Sequence, residues 1–531
     1  MNWLHQNDVA VTIILIHFVS IRKTGERCGL SAKIGVNRFA KDSLIYIPCK
    51  ILECALGFVT MLYYTRLFVP EEYGAYSLIS SGVAFAVTVS TGWYNQAAIR
   101  YYDESKNSAH YFSGLLTSWI TVNGVMLVLF LGSLLLFQGS DFHSYGVYIV
   151  LLYITANSYA IMQSLLSVSR KVVTYAVLSV TILTLRFCLT VYLSSVHGMG
   201  ITALLASTIV FDLIAFTFCI FRMRFHRSLS IRGWEWASIR PIVTKFLRYG
   251  IPLMGYHVVS YVLTVSDRYM IAYFRHVEEV GIYAFGYTLV QSSMYLFISS
   301  IMQAAFPHII ESWNRSDKES TERLVSRFVS VYFFLMIPAA VGITMLRQPI
   351  FSILADQSYF DGSRILPWVT LGVFFMGLTM YSNKIFELTE RTKHILYMSL
   401  LAAIVNVGLN MLAIPAYGYI AAAVTTFVAY LLYFVLSVTL SRKSFRFLIE
   451  WGVLVKIVAA SIGMAGFLYT CKSYIDSIGM LAVSIAAGVI VYLILLLSFG
   501  LGRAEAQSVL LRMKRMAAGR KSRTVKADAE S

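Results

Sequence analysis

Charged side chains stand inside long apolar stretches of this sequence. Lys50 and Glu53 lie three residues apart, and Arg186 and Asp212 each lie near the middle of an apolar stretch. Cations at such positions could bind an anion such as a diphosphate, whereas carboxylates could bind a proton or a cation. Because charge is costly in apolar surroundings, these side chains are candidate functional residues. The complete set of candidate binding residues is Lys50, Glu53, Arg100, Arg186, Asp212, His257, Asp267, Arg268, Lys384 and Glu387.

The elements that must position these residues are apolar segments of membrane length. The 531 residues are 58% hydrophobic and 13% charged, with a mean hydropathy of +0.68. Apolar runs of roughly 20 residues, the length that crosses a hydrocarbon core, alternate with short polar stretches. The sequence therefore predicts an all-α polytopic membrane protein with about fourteen transmembrane helices. The predicted spans are 43–66, 73–100, 113–137, 145–168, 172–195, 200–221, 249–274, 281–306, 324–346, 365–388, 395–414, 419–440, 453–471 and 480–499.

Lysine and arginine predict the orientation of these spans. Basic residues collect before the first span, in every second connection and in the tail after Phe499. Because cytoplasmic loops carry the surplus of Lys and Arg, both termini are expected in the cytoplasm and the number of spans is even. The placement of Lys and Arg in cytoplasmic segments thus explains the net charge of +17, and no nucleic-acid partner is needed. The basic tail is expected to lie against anionic lipid.

Two acidic turns indicate an internal repeat. Glu-Glu-Tyr-Gly at 71–74 follows the first span, and Glu-Glu-Val-Gly at 278–281 follows the seventh, 207 residues later (278 minus 71). The same offset relates Lys50 to His257. We infer a duplicated six-span unit, whose even number of spans gives two lobes in parallel, pseudo-twofold repeat. Transporters place substrate at the interface between such repeats. Since the acidic turns recur in both lobes, their carboxylates are interpreted as structural.

The predicted organisation of the chain follows from the spans and the repeat. A cytoplasmic N-terminal segment precedes the first six-helix lobe, and a basic cytoplasmic linker separates it from the second. Two additional transmembrane helices and a basic cytoplasmic tail follow. The bounds of these six parts are 1–42, 43–225, 226–248, 249–440, 441–500 and 501–531.

The intramembrane candidates also have structural interpretations. Lys50 faces a hydrated cavity, pairs with Glu53 on the same helix face, or extends its amine toward the membrane surface. Arg186 and Asp212, on consecutive antiparallel helices, are expected to pair with each other. Cargo binding or proton coupling is the alternative role for that pair. His257, at the position equivalent to Lys50, would give the second lobe a cation at a similar depth.

The candidates nearer the membrane surfaces have alternatives too. Asp267 and Arg268 are adjacent, hence about 100° apart on a helix, and we expect them to anchor their helix at the interface. Lys384 and Glu387, with Arg391, form a charged face that suits either the inner mouth of a pathway or surface pairing. Arg100 suits either an arriving diphosphate or the cytoplasmic surplus of cations.

Several of these segments resemble a known family. The resemblance rests on four short motifs, which are the turn at 70–76 (Pro-Glu-Glu-Tyr-Gly-Ala-Tyr), Tyr-Gly-Ile-Pro at 249–252, Ser-Asp-Arg-Tyr-Met at 266–270 and Gly-Ile-Tyr at 281–283. In order and spacing they resemble the polysaccharide biosynthesis and O-antigen flippases of the multidrug/oligosaccharidyl-lipid/polysaccharide exporter superfamily, over roughly residues 37–499. The resemblance implies movement of an undecaprenyl-diphosphate-linked oligosaccharide across the cytoplasmic (inner) membrane for polysaccharide export. It also makes a polysaccharide polymerase and chain-length machinery candidate partners.

Motifs for other chemistries do not occur in the sequence. There is no G-x-x-x-x-G-K-[ST] phosphate loop, no HExxH, no GxSxG and no metal-spaced Cys/His cluster. We therefore expect no cofactor, no metal and no enzymatic activity, and a gradient would have to supply energy. A multidrug cation exporter of the same superfamily and a polytopic glycan polymerase or ligase are the alternatives. A transport pathway lined by Asp and Glu would favour the cation exporter. A pathway lined by Lys, Arg and His would favour transport of the anionic lipid.

Overall fold

The structure is a computed structural model, and it describes most of the apolar part of the chain. The described residues are 49, 52–102, 109–136, 144–168, 172–222, 236–315, 318–442, 445–446 and 449–501. They are almost entirely helical and include no strand. The predicted all-α class is therefore confirmed. Lys50, the N-terminal segment and the basic tail lie outside the described residues.

The helices follow the predicted spans in chain order. Helix α1 covers 52–67. A 3₁₀ turn (Gln357–Ile365) lies in one of the later connections. The remaining helices are α2 (Pro70–Tyr101), α3 (Ala109–Leu136), α4 (Gly146–Val168), α5 (Val172–His197), α6 (Ile201–Arg222), α7 (Trp236–Phe274), α8 (Val277–Asn314), α9 (Lys318–Met345), α10 (Arg347–Leu354), α11 (Leu366–Leu388), α12 (Thr392–Ser441), α13 (Trp451–Cys471) and α14 (Ile478–Ser498).

Membrane length and apolar composition are common to most of these helices. Ten helices of the described residues are long and apolar enough to cross a membrane. One of them, α12, breaks at Gly418, whose φ of 61° lies in the left-handed region that glycine adopts without strain. Its two parts, 392–417 and 419–441, are each of membrane length and match two predicted spans. The chain is thus a multi-pass membrane protein.

Some helices extend well beyond the predicted spans. Helix α7 begins at Trp236, thirteen residues before the predicted start at Tyr249, and α8 continues to Asn314 rather than ending at Phe306. Hydropathy detects only the part of a helix that lies in hydrocarbon. A helix end that projects into water carries polar residues and gives no apolar signal. The basic stretch predicted as a linker is therefore helical from Trp236 onward.

The contacts between helices divide the chain into two compact units, which do not coincide with the two predicted lobes. The bounds of the lobes stay a prediction. The large unit contains the described residues of Lys41–Leu296 and Ile350–Arg442. In it α2 packs along α7, α4 along α6, and α11 and α7 along α12. Its buried side chains include Tyr94, Leu165 and Phe246.

The small unit is built around α9, α13 and α14. Helix α13 packs against both α9 and α14, and Gly463 makes room for the side chain of Leu495 at the α13–α14 contact. The Tyr492 hydroxyl of α14 donates to the carbonyl oxygen of Phe334 in α9, at 2.9 Å. The buried Glu322 of α9 accepts the backbone N–H of Arg446 at 2.8 Å. Exposed apolar side chains of α13 and α14, among them Val455 and Ile490, suit contact with lipid.

Within the large unit, α2 and α8 meet in a reciprocal contact at their N-terminal ends. A Cβ atom on Gly74 would overlap the carbonyl oxygen of Val277 and lie 2.9 Å from Gly281 N. A Cβ atom on Gly281 would overlap the carbonyl oxygen of Pro70 and lie 3.0 Å from Gly74 N. Both pairs of equivalent residues are 207 positions apart, so the contact has the self-complementary form of a twofold interface. We call this end of the bundle the outer end, because the distribution of Lys and Arg predicts that it faces away from the cytoplasm.

A second feature is repeated at the outer end. A Glu72 carboxylate oxygen lies 2.5 Å from the Cβ position of Gly200, at the start of α6, and a Glu279 oxygen lies 2.5 Å from that of Gly418. Both glycines have positive φ, and Glu279 also accepts the backbone N–H of Tyr419 at 3.2 Å. A side chain at either glycine would displace the carboxylate. These contacts agree with the structural interpretation of the acidic turns.

Adding a methyl group at the reciprocal contact should destabilise the protein. We expect Gly74→Ala and Gly281→Ala each to cost about 1–3 kcal/mol, because the overlapped atoms belong to the backbone and cannot rotate away. Thermal unfolding of the purified protein in detergent measures the effect. Gly92→Ala is the control, since a Cβ atom at that position of α2 meets nothing within 4 Å. Equal unfolding temperatures for all three variants would contradict the close contact.

Candidate functional site

The interface between α2 of the first repeat and α7 of the second is lined by tyrosine hydroxyls. Tyr261 donates to the carbonyl oxygen of Ser81 at 2.9 Å, and Tyr269 donates to that of Leu78 at 2.9 Å. Gly82 leaves space for the second ring, because a Cβ atom there would lie 2.8 Å from the Tyr269 hydroxyl. Near the outer end α2 and α7 are thus linked by polar bonds, which water could replace if the helices separate there. Toward the other end the two helices share an apolar core that includes Tyr94 and Phe246.

Arg268 brings a positive charge to the same interface. Its Nη1 donates to Ser77 Oγ at 3.2 Å, and its guanidinium carbon lies 5.9 Å from the centre of the Tyr287 ring. Its buried Nε has no hydrogen-bond partner among the described residues. A guanidinium has five N–H donors in a planar fork that matches phosphate oxygens. Arg268 therefore keeps donor capacity for an anionic ligand.

Asp267, next to Arg268, points into the second repeat instead. Its side chain is fully buried and accepts hydrogen bonds from the Tyr283 hydroxyl, from Thr426 Oγ1 at 3.4 Å and from the Arg268 N–H at 2.9 Å. The prediction that Asp267 anchors its helix at the membrane interface is wrong, because the carboxylate contacts protein rather than head groups. Adjacent residues on a helix point about 100° apart, so one faces the repeat interface while the other faces the core.

Amide side chains extend the polar cluster around Asp267. Asn406 Nδ2 donates to Thr426 Oγ1 at 3.3 Å, and Asn410 Nδ2 donates to Asn406 Oδ1 at 3.3 Å. Asn406 and Asn410 are both fully buried. A buried carboxylate among amide and hydroxyl oxygens can hold a proton or a monovalent cation, since either would offset the cost of an isolated negative charge. Among the described residues, no three His, Cys, Asp or Glu residues gather as a metal site would require.

The predicted pairing of Arg186 with Asp212 is confirmed. Arg186 Nη2 lies 2.6 Å from Asp212 Oδ1, between α5 and α6 of the first repeat. The Asp212 side chain is only 6% exposed, whereas that of Arg186 is 26% exposed. Thr190 and Ser207 form a second polar link between the two helices, 2.6 Å apart. The pair therefore joins two helices within one repeat.

Lys384 and Glu387 form the surface pair that their spacing predicts. Lys384 Nζ lies 2.6 Å from a Glu387 carboxylate oxygen, near the end of α11. Arg391, at the start of α12, is exposed. This geometry agrees with surface pairing at the end of the bundle opposite the outer end.

The remaining candidates lie on α1, α2 and α7. Arg100 is exposed in the last turn of α2, and His257 is exposed on α7. Glu53 is half-buried on α1. Because Lys50 lies outside the described residues, its pairing with Glu53 and its equivalence to His257 stay predictions.

The residues that surround Asp267 and Arg268 were not among the candidates predicted from the sequence. Asn406 and Asn410 are four residues apart inside the predicted span 395–414, which places both amides on one helix face. Polar side chains on one face of an apolar span were the available signal. Tyr261 and Tyr269 could not be singled out, because tyrosine is common near membrane interfaces.

Two relatives among curated proteins are flippases by name. The probable low-salt glycan biosynthesis flippase Agl15 of Haloferax volcanii is 21% identical over 264 residues, which cover 49% of this chain and 56% of that protein. The probable flippase AglR of the same organism is 24% identical over 288 residues, covering 52% of this chain and 57% of that protein. The chain thus matches little more than half the length of these relatives.

Solved structures share the fold. The structure of the lipid II flippase MurJ in an inward closed conformation matches 85% of this chain and 98% of its own, with a TM-score of 0.68 and 18% sequence identity. A MATE transporter of Vibrio cholerae matches 77% of this chain and 97% of its own, with a TM-score of 0.51 and 13% identity. At these identities the likeness concerns the fold.

Family models match two parts of the chain. The MatE model matches residues 252–412. The model described as polysaccharide biosynthesis protein matches residues 39–313, which is more than half of the 531 residues. The chain therefore belongs to the polysaccharide biosynthesis protein family, within the multidrug/oligosaccharidyl-lipid/polysaccharide exporter superfamily.

Proposed function

We propose that this protein is a flippase that moves an undecaprenyl-diphosphate-linked oligosaccharide across the cytoplasmic membrane by alternating access, with both termini in the cytoplasm. The observation that carries the proposal is the closed outer end between the two repeats, with the Arg268 guanidinium at the same interface. At the outer end the two related bundles are joined by close glycine contacts and polar bonds, so they can separate there while the apolar core that α2 shares with α7 holds the other end. Family membership and the names of the relatives support the same function.

The charge at the repeat interface favours an anionic cargo. A lipid diphosphate must pass a low-dielectric layer, so its carrier needs a cation that the passing anion can reach. Arg268 meets this requirement because its guanidinium lies between α2 and α7 rather than in an internal ion pair. Arg186 does not, since Asp212 already neutralises it within the first repeat.

A gradient would drive the cycle, because the sequence has no ATP-binding phosphate loop. The Asp267 cluster is the proposed coupling site. A proton or monovalent cation bound to this carboxylate would change the charge next to Arg268, since Asp267 Oδ1 accepts the Arg268 N–H. Binding of the proton or cation to Asp267 would thereby alter the strength of the hydrogen bond between Arg268 and Ser77.

Reconstituted transport tests the proposed function directly. Purified protein in liposomes receives undecaprenyl-diphosphate carrying a fluorescent oligosaccharide, and a membrane-impermeant quencher destroys the fluorophore in the outer leaflet. We expect the protected fraction to fall toward zero over time, and faster under a proton or sodium gradient. A fluorescent phosphatidylethanolamine is the control lipid and should stay protected. If the sugar lipid also stays protected under either gradient, the proposed function is wrong.

The multidrug cation exporter is the second candidate, and the buried carboxylate of Asp267 and the MatE match to 252–412 favour it. The same liposomes distinguish the two functions. Uptake of the organic cation ethidium, without movement of the sugar lipid, would support the exporter. We expect the reverse.

Replacing Arg268 should weaken cargo binding. We expect Arg268→Gln to lower transport about tenfold, as the loss of one charge-assisted contact would, and Arg268→Lys to retain part of it. The sugar lipid should raise the unfolding temperature of the parent protein but not of Arg268→Gln. Arg240→Gln, at an exposed position of the same helix, is the control. Unchanged transport and an unchanged lipid-induced shift in Arg268→Gln would show that Arg268 does not bind cargo.

Replacing Arg186 should destabilise the first repeat through Asp212. Arg186→Ala leaves a carboxylate that is 6% exposed without its counter-charge, which we expect to cost about 3 kcal/mol and to lower export while the protein still inserts. The double variant Arg186→Met with Asp212→Leu should restore both the unfolding temperature and transport, because no unpaired charge remains. A stable double variant that does not transport would instead assign the guanidinium to cargo binding.

A further inference from the structure

The connection between α9 and α11 is longer than its counterpart in the first repeat. Residues 137–145 connect α3 to α4, whereas residues 346–365 connect α9 to α11, so the second repeat has twenty residues where the first has nine. In the second repeat, α10 and the 3₁₀ turn make up most of this connection. Residues 350–365, the part of this connection that belongs to the large unit, are called the outer segment below. Its Phe351, Tyr359 and Ile365 are fully buried, so the segment is folded onto other helices rather than lying free in solvent.

The outer segment and the first repeat supply hydrogen-bond partners to each other. Helix α1 ends at residue 67, and the Tyr359 hydroxyl donates to the carbonyl oxygen of Phe68 at 2.9 Å. In the other direction, Arg66 Nη2 donates to the carbonyl oxygen of Ile353, at the end of α10, at 3.3 Å. Carbonyls at helix C-termini lack intrahelical donors and favour a nearby cation. Each side thus satisfies backbone groups that the other leaves open.

The ring of Tyr359 bridges the two helices of the reciprocal contact. It packs edge to face against Tyr73 of α2, with centroids 6.2 Å apart, and against Phe285 of α8, with centroids 5.4 Å apart. Tyr73 is adjacent to Gly74, so the ring lies next to the point where α2 and α8 touch. The outer segment therefore holds one helix of each repeat at the closed outer end.

The segment also has a defined internal structure. Asp356 caps the 3₁₀ turn by accepting the backbone N–H and the hydroxyl of Ser358, at 3.0 and 2.8 Å. These bonds hold the pKa of the Asp356 carboxyl below its usual range. The Tyr419 hydroxyl of α12 donates to the carbonyl oxygen of Asp361 at 3.3 Å, which ties the segment to its own repeat. The segment is thus attached to the second repeat while its Tyr359 contacts the first.

We propose that the outer segment is a latch: it is carried by the second repeat, it holds the first repeat through Phe68, Tyr73 and Arg66, and it must release them for the outer end to open. The latch rests on the proposed alternating access and not on the nature of the cargo. Since the first repeat has no insertion of this length, closure and opening of the outer end are controlled from the second repeat, which also contains the buried Asp267 cluster.

Accessibility of the interface beneath the latch tests this role without any cargo. A single cysteine replaces the buried Ser77 in a variant lacking the native cysteines, and an impermeant thiol reagent is added from the outer side of intact cells. We expect Tyr359→Phe, which removes only the bond to Phe68, to speed labelling about tenfold, because that bond holds the closed form. Tyr492→Phe removes a matched tyrosine-to-carbonyl bond of 2.9 Å in the small unit and should leave the labelling rate unchanged.

A reversible cross-link tests whether the latch must detach. Cysteines at Arg66 and Ile353, joined by a short bifunctional thiol reagent, should stop transport, and reduction should restore it. Transport that continues in fully cross-linked protein, or labelling of Ser77→Cys that Tyr359→Phe does not change, would overturn the proposal. If labelling changes as expected but the sugar lipid is not moved in liposomes, the latch stands and the proposed cargo is wrong.

Discussion

Two helices can touch backbone to backbone only where no Cβ atom separates them, and this constraint underlies the arrangement of the repeats. Gly74 and Gly281 bring α2 and α8 so close that the carbonyl oxygens of Pro70 and Val277 occupy the space of the missing side chains. Because the two glycines are equivalent positions of a duplicated unit, one structural solution serves both halves. The closed outer end, the position of Tyr359 and the burial of Ser77 all depend on this contact.

Near the outer end, beside the glycines, the repeats are held by polar bonds that can be exchanged, whereas toward the other end α2 and α7 share an apolar core. Hydroxyl-to-carbonyl bonds and one guanidinium link α2 to α7, whereas ion pairs such as Arg186 with Asp212 lie within a repeat. In hydrocarbon an unsatisfied polar group is costly, so the contacts within a repeat persist. Contacts between repeats can be replaced by water or by a polar cargo.

The sequence was sufficient for most of the fold because apolar length is a strong signal. The predicted spans 200–221 and 453–471 differ by at most two residues from α6 and α13, and Gly74 and Gly281, equivalent positions of the predicted repeat, are in contact in the structure. The start of α7 was missed, since hydropathy does not register polar helix ends. For the site, the Arg186–Asp212 pair could be predicted from depth alone. Asp267 could not, because whether a charge faces lipid or core depends on helix rotation, which spacing does not determine.

In the proposed cycle the outer ends of the two repeats separate during transport. Val69 and His276 are equivalent, exposed positions that precede α2 and α8, so spin labels on cysteines there would report the separation without disturbing the contact. Pulsed electron–electron double resonance should give one short distance in the protein alone. A second, longer distance should appear when the lipid-linked sugar and a gradient are present. A single, unchanged distance under both conditions would contradict the account.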